Sequence, residues 1–143
     1  MLVRLMYASR AAAGLDHEEV AAILRQSRAA NARDGITGAL CLCNNGHLFI
    51  QVLEGGRNAV SRCYARIVGD TRHADVTLLT FDEIAERRFA GWSMGQVNMA
   101  RLNPGLILKY SETGNLDPWS IPGHATAALF DEMISTAAIM GPG

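Results

Sequence analysis

The fold is decided by residues 36–55, ITGALCLCNNGHLFIQVLEG. Two apolar runs, Ile36–Cys43 and His47–Glu54, are separated by Asn44-Asn45-Gly46. Because Asn and Gly tolerate positive φ and are typical of tight turns, this pattern predicts a β-hairpin.

A strand and a helix are predicted before the hairpin. Residues 2–9 alternate in polarity, which indicates a first strand carrying Tyr7 on its apolar face. Asp16, followed by Glu19, is typical of a capped helix start, and the helix should run to about residue 33, just before Gly35. One side of this helix aligns Ile23, Ser27, Ala30 and Asn31.

A helix and two further strands are predicted after the hairpin. Apolar residues recur at helical spacing over residues 58–68, and strands are predicted over residues 76–81 and 92–98. The resulting order is βαββαββ. Right-handed crossovers place both helices on one face of the sheet, so we expect an α+β fold of ferredoxin-like type.

The remaining residues form a predicted helical extension. An apolar stretch at Leu106–Tyr110 is followed by a loop with two prolines and then by a helix over residues 125–140. Such a helix can cover the open face of the sheet. We therefore divide the chain into an α+β domain at residues 1–98 and a C-terminal helical extension at residues 99–143 that packs on the sheet.

Composition narrows the functional classes. The chain has 143 residues with 13 basic and 14 acidic side chains, so its formal charge of −1 favours neither nucleic acid nor anionic lipid as a partner. Arg4 interrupts the apolar N-terminus, and no apolar run reaches membrane-spanning length. We expect a soluble, cytoplasmic protein. The three cysteines fit no zinc pattern, which predicts reduced core thiols and no metal site.

Three polar residues in apolar surroundings suggest a binding site. Gln51 lies within the apolar strand HLFIQVLEG, so its amide must find buried partners. The first and third strands are commonly neighbours in this fold, which would bring the Tyr7 hydroxyl to Gln51. Asn31 faces the same layer, and Ile23 and Ile67 would form apolar walls of a slot for a flat ring. The alternative is that Tyr7 and Gln51 are ordinary core residues and that Asn31 caps its helix.

Five segments resemble those of the BLUF family, sensors of blue light using flavin, and they occur in the family's order: RLMYASR (4–10), NARDGITGAL (31–40), FIQVLEG (49–55), RIVGDTRH (66–73) and RRFAGWSM (87–94). LKYS, residues 108–111, is similar to the short, stand-alone members such as the cyanobacterial PixD proteins. Five segments in register are specific, whereas each alone is weak evidence.

The resemblance implies a role for each matching residue. Tyr7 would be the photochemical electron donor, Gln51 the amide that rearranges, and Met94 with Trp92 the pair that carries the signal. Asn31 would hydrogen-bond to the flavin ring. The positions flanking the ring or near its polar edge would be Ile23, Ile67, Arg66, Asp70, Arg72 and His73. This sequence departs from the family at Ala30, where several relatives carry a His or Asn that can contact the flavin.

The resemblance implies a photoreceptor and not an enzyme. Its cofactor would be FAD, with FMN as the alternative, and its signal would pass to a homo-oligomer interface or to a separate downstream protein. Two other classes remain open. A flavin-dependent oxidoreductase is disfavoured because no Gly-rich nucleotide fingerprint is present. A ligand-free ferredoxin-like interaction module fits the composition but leaves the polar residues unexplained.

Overall fold

The computed structural model describes residues 1–12, 16–43, 47–98, 102–136 and 139–140. Its elements in chain order are β1 (Leu2–Ala11), α1 (His17–Asp34), β2 (Thr37–Cys43), β3 (Leu48–Gly56), α2 (Arg57–Val68), β4 (His73–Ile84), β5 (Gly95–Val97), α3 (Pro104–Tyr110), α4 (Gly123–Ser135) and β6 (Ile139–Met140). The first seven follow the predicted βαββαββ order. The predicted turn at residues 44–46 lies outside the described residues.

The strands form one sheet with the order β4-β1-β3-β2-β5-β6. β1 and β3 are antiparallel neighbours, and their register places Tyr7 opposite Gln51. β2 pairs with β3 on the other side and places Leu40 opposite Gln51 as well. Because facing residues of adjacent strands point to the same face, this register brings the side chains of all three together. The predicted Tyr7–Gln51 neighbourhood is thereby confirmed.

Each face of the sheet is covered by a different part of the chain. On the face toward α1 and α2, which we call the helix face, buried residues from the strands such as Leu5, Phe49 and Leu53 pack with residues of both helices. On the opposite face, which we call the tail face, Ile50 and Val52 pack with buried residues of the extension. The latter are Leu102, Ile107, Leu116, Leu129, Phe130 and Met133.

The ends of α1 fix how it lies across the helix face. The Asp16 carboxylate accepts a hydrogen bond of 2.8 Å from the Glu19 N–H, as the sequence predicted. At the other end Gly35 adopts φ 71°, a left-handed conformation that glycine reaches without a steric cost. The backbone N–H groups of Gly35 and Ile36 both return to the Asn31 carbonyl. This turn connects α1 directly to β2.

Three predicted elements differ from the structure. The fourth strand, predicted over residues 76–81, extends over His73–Ile84. The fifth strand, predicted over residues 92–98, is limited to Gly95–Val97, so Trp92 and Met94 precede it. The C-terminal helix, predicted to reach residue 140, ends at Ser135, and the two residues of β6 then pair antiparallel with β5. At β5 the cause is that the apolar residues Trp92 and Met94 pack against the cores of the two faces without continuing the strand.

Among the described residues no helix is both long and apolar enough to cross a membrane. The three cysteines are buried and form no disulfide with one another.

Candidate functional site

A cavity of about 270 Å³ lies on the helix face, between the sheet and the two helices α1 and α2. All nine residues that the sequence placed around a flavin line it: Tyr7, Ile23, Asn31, Gln51, Arg66, Ile67, Asp70, Arg72 and His73. Its remaining walls are formed by Gln26, Ser27, Ala30, Leu40, Phe49 and Cys63. The helix side that aligned Ile23, Ser27, Ala30 and Asn31 in the sequence is thus the side that faces the cavity.

The floor of the cavity carries a chain of three buried side chains. The Tyr7 hydroxyl donates a hydrogen bond to Gln51 Oε1, and Gln51 Nε2 donates to Met94 Sδ at 3.2 Å. All three residues are almost fully buried. The hydroxyl therefore fixes one end of the amide, while the amide N–H end meets a sulfur, which is a weak acceptor. An N–H group bonded to a weak acceptor gives up that partner at little cost when a stronger acceptor is offered.

Burial keeps Tyr7 in its neutral form. Desolvation raises the pKa of its phenol far above the ordinary value, and the neighbouring Cys63, Tyr64 and Asp70 add to the rise in that order. The ring centroids of Tyr7 and Tyr64 lie 5.7 Å apart. A phenol that cannot ionise in advance must release its proton when it loses an electron, and Gln51 Oε1 is the acceptor already in contact with it.

The α1 wall combines an amide with an apolar surface. Asn31 is buried, and its Nδ2 donates to the Ser93 carbonyl at 3.3 Å, which fixes the orientation of its side chain. Ile23 from α1 and Ile67 from α2 line the cavity from the two helices. Their separation by the cavity matches the slot with apolar walls that the sequence predicted.

The rim of the cavity on the α2–β4 side is polar and charged. Asp70 and Arg72 form a close ion pair in which the Arg72 backbone N–H and Nε reach Asp70 Oδ1 at 2.9 and 3.0 Å. Hydrogen bonds from Arg72 hold the pKa of Asp70 below its ordinary value. Arg72 Nη1 also donates to Gln26 Oε1 at 3.2 Å, so the rim is bridged to α1. Arg66 is exposed and lies 3.6 Å from Asp34.

His73 closes the cavity where β4 begins. Its Nδ1 lies 2.8 Å from Ser9 Oγ, and its ring contacts those of Phe49 and Tyr7 at centroid distances of 4.9 and 6.3 Å. Burial lowers the pKa of the imidazole below its ordinary value, with Asp70 opposing the change and Arg72 adding to it. The ring is thus neutral at physiological pH.

The strand predicted over residues 92–98 would place Trp92 and Met94, two positions apart, on the same face, but the two side chains lie on opposite sides of the sheet. Met94 is fully buried in the helix-face core and contacts Gln51. Trp92 packs against the tail-face core, where its ring lies 6.4 Å from that of Phe89. The Trp92 carbonyl accepts a hydrogen bond of 3.0 Å from the Gly38 N–H. The bend that precedes β5 separates the two side chains.

Six of the wall residues were not among the site residues predicted from the sequence, and four of them leave no signal in it. Leu40, Phe49 and Cys63 are indistinguishable in the sequence from any other buried apolar position. Gln26 belongs to a residue type that is common on helix surfaces, and its contact with Arg72 across the rim leaves no local pattern. Ser27 and Ala30 carried a signal, since they align with Ile23 and Asn31 on one side of α1. No group of three or more His, Cys, Asp or Glu residues suited to a metal ion occurs within the described ranges.

Comparison with known proteins gives matches over most of the chain. The BLUF family model, described as sensors of blue light using FAD, matches residues 2–95. The beta subunit of a photoactivated adenylate cyclase from Euglena gracilis is 37% identical over 94 residues, which is 65% of this chain and 11% of that protein. The chain therefore spans about one tenth of the length of that relative.

Two solved structures match nearly end to end. BlrB, described as a BLUF protein in its dark state, is 30% identical with a TM-score of 0.78 over 95% of this chain and 96% of its own. The photo-activated state of BlsA is 29% identical with a TM-score of 0.81 over 94% of this chain and 95% of its own.

Proposed function

The chain belongs to the BLUF family of sensors of blue light using FAD, and we propose that it is a photoreceptor in which Tyr7 and Gln51 convert light absorption into a change of hydrogen bonding. BLUF domains bind flavin and serve as photosensors, not as catalytic domains. The observation that carries the proposal is the hydrogen-bonded series from Tyr7 through Gln51 to Met94 on the floor of the cavity.

The residues around the cavity fit a flavin. Ile23, Ile67 and Phe49 supply apolar surface for a flat ring, while the amides of Asn31 and Gln51 can bond its polar edge. Gln51 holds one strong hydrogen bond, from Tyr7, and one weak contact, to sulfur, so part of its amide is available to a ring acceptor. The cavity volume suits a ring system, and the arginines of the rim would then be near the phosphates of FAD. FMN would use the same ring contacts.

A bound flavin would supply a strong one-electron oxidant on absorbing blue light. Tyr7 would give up the electron, and because its phenol is neutral and buried, its proton would move to Gln51 Oε1 along the existing hydrogen bond. On return of the electron Tyr7 would regain a proton, and the Gln51 amide would be free to settle in another orientation or tautomer, with no net oxidation. The changed hydrogen bonds of Gln51 would shift the absorption slightly to the red.

The signal would leave the cavity through Met94. If Gln51 turns its N–H away from the sulfur, Met94 loses its polar partner and the bend before β5 becomes easier to move. This bend is joined to the tail face by Trp92 and Phe89, and Arg88 reaches Asp131 of α4 at 3.3 Å. We expect the change to alter a homo-oligomer interface or the affinity for a separate protein. The Euglena relative, whose name joins light activation to an adenylate cyclase, is consistent with such an output.

A light-minus-dark absorption spectrum of the purified protein tests the proposal. We expect a yellow protein whose flavin bands shift to the red under blue light and recover in the dark. Bleaching to a reduced flavin or to a thiol adduct would contradict it. A colourless protein that takes up no added FAD would favour the ligand-free interaction module, and steady consumption of NAD(P)H would favour an oxidoreductase.

A further inference from the structure

Met94 is held from a second side, by α1. Arg28 Nε donates to the Met94 carbonyl at 3.1 Å, and one helical turn later Asn31 Nδ2 donates to the Ser93 carbonyl at 3.3 Å. Residues three apart on a helix lie on the same side, so the two donors meet two consecutive carbonyls. Met94 is therefore fixed through its sulfur by Gln51 and through its backbone by Arg28.

Short ladders and single hydrogen bonds hold this segment. β5 has three residues and pairs with β2 at Gly95 opposite Ala39 and Gln96 opposite Leu40, and its other edge pairs with β6. Ser93 and Met94 precede the strand in a bend, next to the Trp92 carbonyl that accepts from Gly38. Because the ladders are short, a hydrogen bond from a charged side chain contributes to holding the bend against α1.

Arg28 is separate from the cavity that we assign to flavin. Asn31 lines that cavity, whereas Arg28 is not among the residues that form its walls. Arg28 is partly buried, and its guanidinium meets the outer, backbone side of Met94. Removing it therefore leaves every cavity wall in place.

We propose that Arg28 is a positioning residue, which holds Met94 so that its sulfur stays within reach of Gln51 in the dark and thereby sets how far the bend moves in the light. This role rests on the proposed function only for its light-dependent part. In the dark, the hydrogen bond from Arg28 to the Met94 carbonyl opposes movement of the bend before β5. Rearrangement of Gln51 removes one of the two restraints on Met94, and the strength of the Arg28 bond determines the size of the response.

The test uses the flavin-loaded protein and compares Arg28→Met with wild type. Methionine keeps the apolar stem but has no donor. In the dark, the amide hydrogens of residues 95–97 should exchange about tenfold faster, which corresponds to the loss of about 1.4 kcal/mol from one hydrogen bond. The methyl resonance of Met94, assigned by its loss in Met94→Leu, should move in the same sample and change less on illumination.

Two further variants make the test specific. Arg25→Met is the matched control, because Arg25 is an exposed arginine one turn earlier on α1. It should leave exchange and the methyl signal as in wild type. Arg28→Lys retains a charged donor and should exchange more slowly than Arg28→Met, which also covers the case in which Arg28→Met folds poorly.

The outcomes separate this proposal from the proposed function. Unchanged dark exchange and an unchanged Met94 signal in Arg28→Met would overturn the positioning role, even with a normal red shift. Equal effects in Arg25→Met and Arg28→Met would also overturn it, because the cause would then be helix stability. Faster dark exchange confined to the Arg28 variants would support it even if the wild type showed no red shift, a result that would count against the proposed photochemistry alone.

Discussion

Gln51 and Glu54 are both buried polar residues of β3, three positions apart and on opposite faces of the sheet. Glu54 is fully buried, and its carboxylate accepts from Arg4 Nε at 2.8 Å and from two backbone N–H groups, at Arg88 and Phe89. Gln51 accepts a hydrogen bond from the Tyr7 hydroxyl, donates one to the Met94 sulfur and lines the cavity. The difference shows that burial of a polar residue does not by itself mark a functional site. Glu54 is satisfied by the fold, whereas Gln51 retains capacity for a ligand.

The largest effect that this comparison predicts is loss of photochemistry on the helix face. Tyr7→Phe keeps the ring that packs in the core but removes the hydroxyl that donates to Gln51. We expect it to bind flavin and to show no red shift at all. Absorption spectra before and after blue light measure this, with Tyr64→Phe as the control, because Tyr64 is the neighbouring phenol and should retain the shift. A normal red shift in Tyr7→Phe would remove Tyr7 from the mechanism.

Glu54 should show the opposite behaviour. Glu54→Ala leaves the Arg4 guanidinium and the backbone N–H groups of Arg88 and Phe89 without their acceptor, so we expect a loss of about 3–5 kcal/mol in the free energy of unfolding. The red shift of the folded fraction should persist. Urea unfolding in the dark measures the loss. Glu83→Ala is the control, since Glu83 pairs with Arg57 at an exposed site and should change stability by less than about 1 kcal/mol. Loss of the red shift in folded Glu54→Ala would contradict the distinction, because Glu54 would then affect the photochemistry as well as the stability.

The link between the two faces should depend on Met94. Met94→Ala removes the sulfur that accepts from Gln51 but leaves Tyr7 and Gln51 in contact. We expect a red shift close to that of wild type and a smaller light-dependent change in hydrogen exchange over residues 102–136. Couplings of this kind are typically worth about 1–3 kcal/mol, so the wild-type change should be measurable. If the wild type exchanges identically in dark and light and its oligomer size is constant, the signal does not take this route.

The smallest predicted effect is a pH dependence of stability at the rim of the cavity. Burial lowers the pKa of His73 in the folded protein below its ordinary value of 6.5. As the pH falls below about 6.5, the unfolded chain therefore binds a proton that the folded protein does not, and stability decreases. His73→Gln should weaken this slope in thermal unfolding between pH 7 and pH 5, while the exposed His124→Gln should not. Equal slopes in all three proteins would show that His73 does not titrate as its surroundings imply.

Much of the fold could be predicted because the alternation of polarity assigns residues to faces. Tyr7 lies on an apolar face of the first strand, as predicted, and Val3 and Leu5, at intervals of two, lie on that same helix face. β5 and the end of α4 could not be placed, because the packing of Trp92 and the pairing of Ile139–Met140 depend on distant parts of the chain. A strand of two residues leaves no periodic pattern.

The candidate site was predictable to the extent that its polar residues stand in apolar surroundings. Gln51 was conspicuous in β3, and resemblance to a family supplied the rim residues at positions 66–73. Residues such as Phe49 and Leu40 look like any core position, so only the structure assigns them to the cavity. Resemblance gave no signal for Arg28, whose partner is a backbone carbonyl 66 positions away.

The most direct test of the central account is an infrared light-minus-dark spectrum of flavin-loaded protein labelled at the glutamine side chains. The chain has three glutamines, at positions 26, 51 and 96. If Gln51 rearranges, the label should shift bands in the difference spectrum, and these bands should be absent in Gln51→Leu but present in Gln26→Leu. A red-shifting wild type whose infrared difference spectrum is unaffected by the label would contradict the account, because light would then act without changing the Gln51 amide.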